Sequence, residues 1–307
     1  MTERRFDVAA LGEAMVEFNQ TTPGEPHYLQ GFGGDTSNAV IAAARAGART
    51  AYLTRLGQDT FGDALVALWH HEGVDTSGVE RDGAAPTGIY FVTHGPAGHE
   101  FNYLRAGSAA SRMTAQWLPR ALIADSKILH VSGISLAISR SARDAVFEAM
   151  AHARRHGTLV SLDLNLRLKL WPVEEARTTL VRAIGLCDFF LPSVQDVAAL
   201  VGKSDPHAII DWAHSLGAPQ VALKLGADGA LVSDGQLREP VRGYGVRLVD
   251  ATGAGDCFCG NLLARLAMDD SIFEAARYAN AAASLAVQGF GAVAPLPRPK
   301  QVKELLQ

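Results

Sequence analysis

From about residue 120 onward, short apolar or β-branched runs alternate with segments of helical pattern. Alternation of this kind predicts a mainly parallel sheet with helices on both faces. The predicted strands cover residues 128–131, 159–164, 188–191, 221–225 and 230–233, and the predicted helices cover residues 140–156, 206–216, 255–268, 271–288 and a segment from Ser193. The last two long helices have alanine-rich faces, which favour tight packing. We therefore expect an α/β domain here.

The first hundred residues break this alternation. Strands are predicted at residues 14–18, 27–32, 88–93 and 100–105, and the last two form a hairpin around residues 94–98. The simplest account is a small antiparallel sheet, made of two separated pieces, that stands on the main domain as a lid. The intervening segments predict a helix at 36–46, a strand at 52–55 and a helix at 61–72.

These patterns divide the chain into a core and a lid. The expected α/β core comprises residues 1–13, 34–86 and 107–307, and the expected lid comprises residues 14–33 and 87–106. A chain of 307 residues can bury a large core of this kind.

Composition and charge limit the classes of partner that the chain is expected to bind. The chain is 48% hydrophobic and 20% charged, with a net charge of −4, and no block of Lys or Arg could neutralise a nucleic-acid backbone. No apolar run near 18 residues and no signal-peptide core is present. We therefore expect a cytoplasmic protein with neither a nucleic-acid nor a membrane partner.

Cysteine and histidine spacing gives no sign of a structural metal. The three cysteines, Cys187, Cys257 and Cys259, include a Cys-x-Cys pair that is neither a redox motif nor half of a zinc site. No histidine pair has metal-ligand spacing. We expect three reduced thiols that fill small packing sites.

Residues 250–260, Asp-Ala-Thr-Gly-Ala-Gly-Asp-Cys-Phe-Cys-Gly, place a glycine-rich turn and a carboxylate at the start of a predicted helix. Gly253, Ala254 and Gly255 have little or no side chain, so successive backbone amides can point at one anion while the helix adds its positive end. Asp256 would lie at the edge of that anion hole, where a hydroxyl next to the phosphate could give it a proton. The pattern is that of a phosphoryl-transfer site, although an ordinary loop before a capped helix would contain similar residues.

Spacing excludes two commoner nucleotide motifs. A P-loop would need Lys and Ser or Thr after Gly260, where Asn261 and Leu262 stand. A dinucleotide fingerprint would need glycine at the positions of Phe258 or Thr36. The chain is therefore not a Walker NTPase, and a dehydrogenase becomes the weaker class.

Three motifs taken together resemble the ribokinase or PfkB carbohydrate kinase family in order and spacing, at residues 33–38, 57–62 and 250–260. The similarity spans nearly the whole chain. Within that family, the details are most similar to the 2-keto-3-deoxygluconate kinases, in residues 31–36, 103–105, 132–138, 163–167 and 170–171.

The resemblance implies a ribokinase-like fold in which a β-lid covers the sugar and ATP lies across the carboxyl ends of the core strands. It matches Asp256 to the general base and the amides of Gly253, Ala254 and Gly255 to the anion hole. The positions that match sugar contacts are Gly34, Asp35, Asn38, Tyr90, Tyr103, Arg105 and Arg167. The positions that match the nucleotide side are Asn165, Ser193, Lys224, Gly226, Asp228, Gly229 and Asn280.

The two arginines favour an acidic substrate independently of the resemblance. A neutral sugar would leave Arg105 and Arg167 buried without a counterion, which is costly, whereas a sugar acid supplies a carboxylate that either could grip bidentately. Tyr90 and Tyr103 would add hydroxyls beside them. Together with the resemblance, which implies a 2-keto-3-deoxygluconate kinase, this predicts ATP-dependent phosphorylation of the terminal hydroxyl of 2-keto-3-deoxygluconate. The alternatives are a kinase for fructose or a related keto sugar acid and, from another class, a catalytically silent sugar or nucleotide sensor.

Some family features are altered here. Many members carry Asn-x-x-Glu where Ser193-Val-Gln-Asp196 stands, and Asp196 is the expected water-mediated Mg²⁺ ligand. Residues 289–292 lack a carboxylate that some relatives place against the sugar. Asp250 and Thr252 match positions near a monovalent-cation loop of some relatives, which leaves a need for K⁺ open. We also expect a homo-oligomer, although apolar lid residues such as Ile89, Phe91 and Tyr103 could either pair across a dimer or cover substrate.

Overall fold

The computed structural model describes residues 4–95 and 98–307, so residues 1–3 of the expected core and Pro96 and Ala97 of the expected hairpin turn lie outside the described residues. Within those ranges the strands form two sheets. The strands are β1 (Phe6–Leu11), β2 (Met15–Gln20), β3 (Tyr28–Gly33), β4 (Thr50–Gly57), β5 (Val74–Asp82), β6 (Ile89–Gly95), β7 (Gly98–Leu104), β8 (Ser126–Ser132), β9 (Leu159–Asp163), β10 (Phe189–Phe190), β11 (Gln220–Lys224), β12 (Gly229–Ser233) and β13 (Arg238–Arg242).

The larger sheet has the strand order β13-β12-β11-β10-β9-β8-β1-β4-β5. Each pair from β11 to β5 is parallel, and only the β11–β12 and β12–β13 pairs at one edge are antiparallel. The prediction of a central, mainly parallel sheet is therefore confirmed.

Helices cover both faces of this sheet, as predicted. They are α1 (Asp35–Arg45), α2 (Thr60–His71), α3 (Arg120–Ala124), α4 (Gly133–Ala137), α5 (Arg140–Arg155), α6 (Val173–Ile184), α7 (Val194–Val201), α8 (Pro206–Ser215), α9 (Ala254–Leu266), α10 (Ile272–Ala286) and α11 (Pro299–Leu306). Successive strand residues point to opposite faces, so β1 sends Val8 and Ala10 into the core beneath α1, α9 and α10, and Ala9 and Leu11 into the core beneath α5 and α6. None of the helices in the described part of the chain is both long and apolar enough to cross a bilayer.

Close packing fixes the start of α9 against α1. A Cβ added at Gly260 would lie 2.1 Å from the carbonyl oxygen of Ala39, so only glycine permits this approach of the two helices. The three cysteines are buried and free, in agreement with their predicted packing role. The helix that begins at Ala254 is thereby held rigidly against the one that begins at Asp35.

The smaller sheet has the order β3-β2-β6-β7 and comprises the strands of the expected lid, so we refer to it as the lid. The expectation of a purely antiparallel lid is wrong in one respect. The β2–β3 and β6–β7 pairs are antiparallel hairpins, but β2 and β6, which join the two pieces, are parallel. The reason is that β2 follows β1 and β6 follows β5, and these parallel core strands end at the same edge of the large sheet.

The 57–62 motif ties the lid to the core. Asp59 caps α2 by accepting a hydrogen bond from the Gly62 amide at 2.8 Å, and its other oxygen accepts from the Thr87 amide at 2.8 Å. The Gly57 amide in turn donates to Thr87 Oγ1 at 3.0 Å. The second piece of the lid thus begins at a residue clamped to the N-terminus of α2.

Candidate active site

A cleft of about 750 Å³ lies between the lid and the carboxyl ends of the central core strands. Most of the predicted site residues line it, although they come from six different strands and helices and from the loops that follow them. Those that line it are Gly34, Asp35, Asn38, Tyr90, Tyr103, Arg105, Asn165, Arg167, Ser193, Asp196, Lys224, Gly226, Gly253, Gly255 and Asp256.

The predicted anion hole lies at the N-terminus of α9. Gly253 is the N-cap residue and adopts a left-handed conformation with φ of 72°, and a Cβ there would lie 2.9 Å from Ala292 Cα. Both constraints require glycine. The Ala254 amide donates to the carbonyl oxygen of Ala251 at 3.2 Å, so it is already bonded, whereas Gly253 and Gly255 line the cleft at the positive end of the helix dipole.

Asp256 occupies the first turn of α9, and its Oδ2 accepts a hydrogen bond from Asn38 Nδ2 at 2.8 Å. Burial, followed by repulsion from the Asp35 carboxylate, raises the pKa of Asp256 to about 7. A carboxylate with this pKa is a much stronger base than an exposed aspartate and is still half ionised near neutral pH. That is the property a general base needs.

Two buried acceptors beside Asp256 lack donors. Asp35 Oδ2 accepts from Asn165 Nδ2 at 2.9 Å, but Asp35 Oδ1 and Asn38 Oδ1 have no hydrogen-bond partner among the described residues. The hydroxyl of Ser132, which lies 3.1 Å from that of Ser135, does not reach Asp35 Oδ1 in hydrogen-bonding geometry. Unsatisfied buried acceptors are costly, so these two atoms are suited to accept from hydroxyl groups of a ligand.

Lys224 places a positive charge next to the anion hole. Its Nζ lies 3.5 Å from the position that a Cβ on Gly255 would occupy, and it donates to Asp163 Oδ1 at 2.8 Å. Burial opposes the charge of Lys224, but the Asp163 carboxylate outweighs it and raises the pKa of this lysine, so it stays protonated. Asp163 was not among the predicted site residues; its position at the end of β9 in the 163–167 motif was the available signal.

On the lid side of the cleft, polar groups pair with one another. The hydroxyl of Tyr90 donates to the buried carboxylate of Glu17, and burial together with that charge raises the pKa of Tyr90. The ring of Tyr103 lies 5.5 Å from that of Tyr90, with 42% of Tyr103 exposed. Tyr90 is thus held in place, whereas Tyr103 is open to the cleft.

The two predicted arginines differ. Arg105 Nη2 donates to Glu13 Oε2, so the expectation that Arg105 lacks a counterion is wrong, because the chain turning into the lid brings a buried glutamate against it. Arg167 is exposed in the cleft, donates to the carbonyl oxygen of Leu166 at 2.9 Å and forms no ion pair within the described residues. Sequence reasoning missed Glu13, whose only signal was a polar residue at the end of an apolar strand.

The predicted nucleotide residues fall into two groups. Ser193 and Asp196 line the cleft at the start of α7, where Ser193 Oγ accepts from the Asp196 amide at 3.1 Å. Of the predicted nucleotide residues, Asp228, Gly229 and Asn280 do not line it, and neither does Ala254 of the predicted anion hole.

The residues outside the lining have structural contacts of their own. Gly229 starts β12 with φ of 97°, and a Cβ there would lie 2.0 Å from the carbonyl oxygen of Val241. Asn280 Nδ2 donates to the carbonyl oxygen of Arg242 at 2.6 Å. Their roles toward a nucleotide stay predictions.

The donor set suits a magnesium ion brought in by a nucleotide. Within the described residues no cluster of three acidic, histidine or cysteine side chains could hold a metal ion. Asp196 is the candidate carboxylate, and burial followed by repulsion from Asp163 raises its pKa. Mg²⁺ commonly keeps several waters and binds one or two carboxylates together with substrate phosphates, so a single acidic side chain here fits that chemistry.

Asp250 and Thr252, which match positions near a monovalent-cation loop of some relatives, are hydrogen-bonded within their own loop. Asp250 Oδ1 accepts from the amide and the hydroxyl of Thr252, at 2.9 and 2.6 Å, and Asp250 Oδ2 accepts from the Gly291 amide at 2.9 Å. Asp250 therefore ties the turn before α9 to the loop after α10.

Comparison with known proteins places the chain in a defined group. A family model described as pfkB family carbohydrate kinase matches residues 5–299. The 2-dehydro-3-deoxygluconokinase of Thermoproteus tenax is 34% identical over 317 residues, covering 99% of this chain and 95% of that protein. Fructokinase-1 of Oryza sativa subsp. japonica is also 34% identical, over 324 residues that cover 100% of this chain and 99% of that protein.

Solved structures have the same fold. The fructokinase from Vibrio cholerae O395, in its fructose, ADP and calcium ion bound form, superposes with a TM-score of 0.88 at 30% identity and covers 98% of each chain.

Proposed function

The chain belongs to the pfkB family of carbohydrate kinases, and from that premise we propose that it transfers the γ-phosphate of ATP to the terminal hydroxyl of 2-keto-3-deoxygluconate, which is also called 2-dehydro-3-deoxygluconate. The products are 2-keto-3-deoxy-6-phosphogluconate and ADP. The observation that carries the proposal is the pair of unsatisfied acceptors, Asp35 Oδ1 and Asn38 Oδ1, beside an aspartate with a pKa of about 7. A polyhydroxy substrate supplies the missing donors and presents one hydroxyl to Asp256.

Proton transfer is assigned to Asp256. The transition state of phosphoryl transfer is loose, so the attacking hydroxyl needs to lose its proton only late, and a carboxylate is a sufficient acceptor. Asn38 holds Asp256 Oδ2 at 2.8 Å, which leaves Oδ1 for the substrate hydroxyl. In-line attack then depends mainly on positioning.

Groups on the core side of the cleft would stabilise the negative charge of the transferred phosphate. The amides at the N-terminus of α9 form the proposed anion hole, and the ammonium of Lys224 stands beside them. Asp196 is proposed to help hold Mg²⁺ through water, and the ion would neutralise phosphate charge when bound. Closure of the lid would exclude water that otherwise competes for the phosphate.

The nucleotide side is proposed from the same end of the sheet. Ser193 and Gly226 line the cleft next to Lys224, where the phosphates would lie. Asp228, Gly229 and Asn280 do not line the cleft, and we propose that they contact the end of the nucleotide that is remote from the phosphates. Asn165 is proposed to act indirectly, because its side chain holds Asp35.

The choice of an acid over a neutral sugar is proposed to rest on Arg167. It is an arginine in the cleft without a carboxylate partner, so the carboxylate of a sugar acid would complete it. Tyr103, which is exposed and lines the same cleft, would offer a hydroxyl to the same ligand.

Fructose is the second candidate. The Glu13–Arg105 ion pair favours it, because Arg105 needs no anionic substrate once it is paired. The identity of 34% to the rice fructokinase equals that to the Thermoproteus enzyme.

Substrate turnover separates the candidates. ATP consumption with Mg²⁺ would be measured on 2-keto-3-deoxygluconate, 2-keto-3-deoxygalactonate, gluconate, fructose and ribose. The proposal expects turnover of the keto acids with the highest kcat/KM. Turnover of fructose or ribose alone would keep a sugar kinase but reject the acid substrate, and absence of ATP turnover on every compound would support a silent sensor.

A further inference from the structure

Glu13 is a buried carboxylate that the proposed mechanism does not use. It lies two residues after the end of β1, its side chain has no exposed surface, and it nevertheless lines the substrate cleft. One oxygen accepts from Arg105 and the other from the hydroxyl of Ser108. A buried carboxylate must be paired, and here both partners lie on the segment that leaves the lid.

Every crossing between core and lid passes Glu13. The residue itself lies in the first crossing, and a Cβ on Gly34, in the second, would lie 2.4 Å from its carbonyl oxygen. A Cβ on Gly88, in the third, would lie 2.9 Å from Glu13 Oε1, and Arg105 and Ser108 belong to the fourth. Glu13 therefore lies at the junction between the core and the lid.

Charge at the sugar end of the cleft makes this position important. The carboxylates that line it there are Glu13, Asp35 and Asp256, and the cations are Arg105, Arg167 and Lys169. Because Glu13 compensates the charge of Arg105, the cations of this end that have no ion pair among the described residues are Arg167 and Lys169, and the sugar end as a whole has no excess of positive charge. The cleft is thus less attractive to an anion than two free arginines would make it.

We propose that Glu13 is a positioning and specificity-determining residue, which holds Arg105 at the lid junction as a neutral pair and so limits how strongly the cleft prefers an anionic sugar over a neutral one. Arg105 has five N–H donors and Glu13 uses one side of them, so the guanidinium still offers hydrogen bonds to ligand oxygens. The inference rests on the proposed function, since it concerns the substrate class of the same cleft.

Three variants test the charge argument. The ratio of kcat/KM for 2-keto-3-deoxygluconate to kcat/KM for fructose would be measured in Glu13→Gln, in Arg105→Gln and in the double variant. Glu13→Gln leaves Arg105 uncompensated and should raise the ratio about tenfold, through a lower KM for the acid with little change in kcat. Arg105→Gln leaves Glu13 uncompensated and should lower the ratio by a similar factor.

The double variant distinguishes a neutral pair from a direct carboxylate ligand. Replacing a neutral ion pair by two amides should return the ratio to within about threefold of the wild type, even if both KM values rise. If Arg105 were itself the counterion of the substrate, the double variant would keep the low ratio of Arg105→Gln, and that result would overturn the proposal. An unchanged ratio in Glu13→Gln would overturn it as well.

Controls distinguish a failure of the inference from a folding defect and from a wrong substrate assignment. Glu72→Gln removes a largely buried carboxylate, with 4% of its side chain exposed, from the Arg45 pair outside this cleft, and should leave the ratio unchanged. If Glu13→Gln does not fold, Arg105→Gln and the double variant still decide between the two outcomes. Calorimetric dissociation constants for gluconate and for fructose, measured without ATP, give the corresponding preference for an acid over a neutral sugar in binding alone. If wild-type protein neither binds nor turns over a sugar acid, the proposed function fails, whereas a wild type active on the acid with unresponsive variants rejects only the role of Glu13.

Discussion

The two walls of the cleft differ in whether their buried polar atoms have hydrogen-bond partners. On the core wall, formed by Asp35, Asn38 and Asp256, two acceptor oxygens have no described partner and the base has a raised pKa of about 7. On the lid wall, the hydroxyl of Tyr90 and the guanidinium of Arg105 are each bonded to a buried carboxylate, that of Glu17 and that of Glu13, and Glu13 also accepts from Ser108.

This difference suggests a different function for each wall. Unsatisfied groups cost folding energy and persist where a ligand completes them, so we propose that the reacting hydroxyl and phosphate meet at the core wall. Satisfied pairs hold a shape, so we propose that the lid wall determines which sugars fit. Disrupting the core wall should therefore reduce turnover, whereas disrupting the lid wall should change substrate preference or stability.

The largest expected effect lies on the core wall. Asp256→Asn keeps the side-chain volume and can still meet Asn38, but its amide cannot accept the proton of the attacking hydroxyl. We expect kcat to fall by about 10² to 10⁴ with substrate and nucleotide binding largely kept. Single-turnover rates with the preferred sugar provide the measurement. Near-normal turnover would remove the assignment of Asp256 as base.

A stability measurement on the same variant checks the physical cause of the raised pKa. The folded state binds the proton of Asp256 more tightly than the unfolded state does, so this group costs stability that grows as the pH rises from about 4 to about 7 and is fully present above that range. Asp256→Asn should therefore be more stable than wild type at pH 8, on the order of 1 to 4 kcal/mol, with little difference at pH 4. Equal stability at both pH values would contradict the burial argument.

The next effect concerns Arg167, the arginine of the cleft that forms no ion pair among the described residues. Arg167→Gln should raise KM for 2-keto-3-deoxygluconate by about 10- to 100-fold and KM for fructose by only a few fold, because only the acid loses a charge-assisted contact. Lys169→Gln is the matched control, since it removes the same charge from the same loop and also lines the cleft. If both variants raise KM equally, general attraction rather than a specific contact is responsible.

How far the sequence predicts this contrast depends on the distance over which each signal acts. The glycines and Asp256 lie in one local motif, and the alternation of strands and helices is local too, so the sheet, the lid strands and the start of α9 could be predicted. The pairs that complete the walls join residues far apart: Glu13 with Arg105 across 92 positions, and Asn38 with Asp256 across 218. No local pattern marks such a pair, and the counterion of Arg105 was therefore missed.

The edges of the large sheet were missed for a different reason. Strands β5 and β13 lie at its two ends and were not predicted. Both are polar, with sequences VDTSGVERD and REPVR, because an edge strand faces solvent and commonly carries charges, glycine or proline. The apolar-run signal identifies the strands that are buried between neighbours and fails at the margins.

A smaller effect should appear in the pH profile. Asp256 must be deprotonated to act as base, so kcat should fall as the pH drops through about 7. Asp163 raises the pKa of Asp256 by repulsion, while Lys224 lowers it. Asp163→Asn removes the repulsion and frees the lysine charge, so the acid limb of the profile should move to lower pH by about one unit. An unmoved limb would show that Asp163 acts only on the packing of Lys224.

The smallest effect tests the lid attachment. Asp59→Asn keeps a good N-cap for α2 but turns Oδ2, which accepts from the Thr87 amide at 2.8 Å, into a donor. We expect a loss of about 1 to 2 kcal/mol in urea unfolding, with kcat per folded molecule nearly unchanged. Asp205→Asn is the control, because Asp205 caps α8 through the Ala208 amide with no contact to the lid and should cost little. A rise in KM in Asp59→Asn alone would place the lid hinge at Thr87, since the core wall and its chemistry are left intact and only the position of the lid wall can have changed.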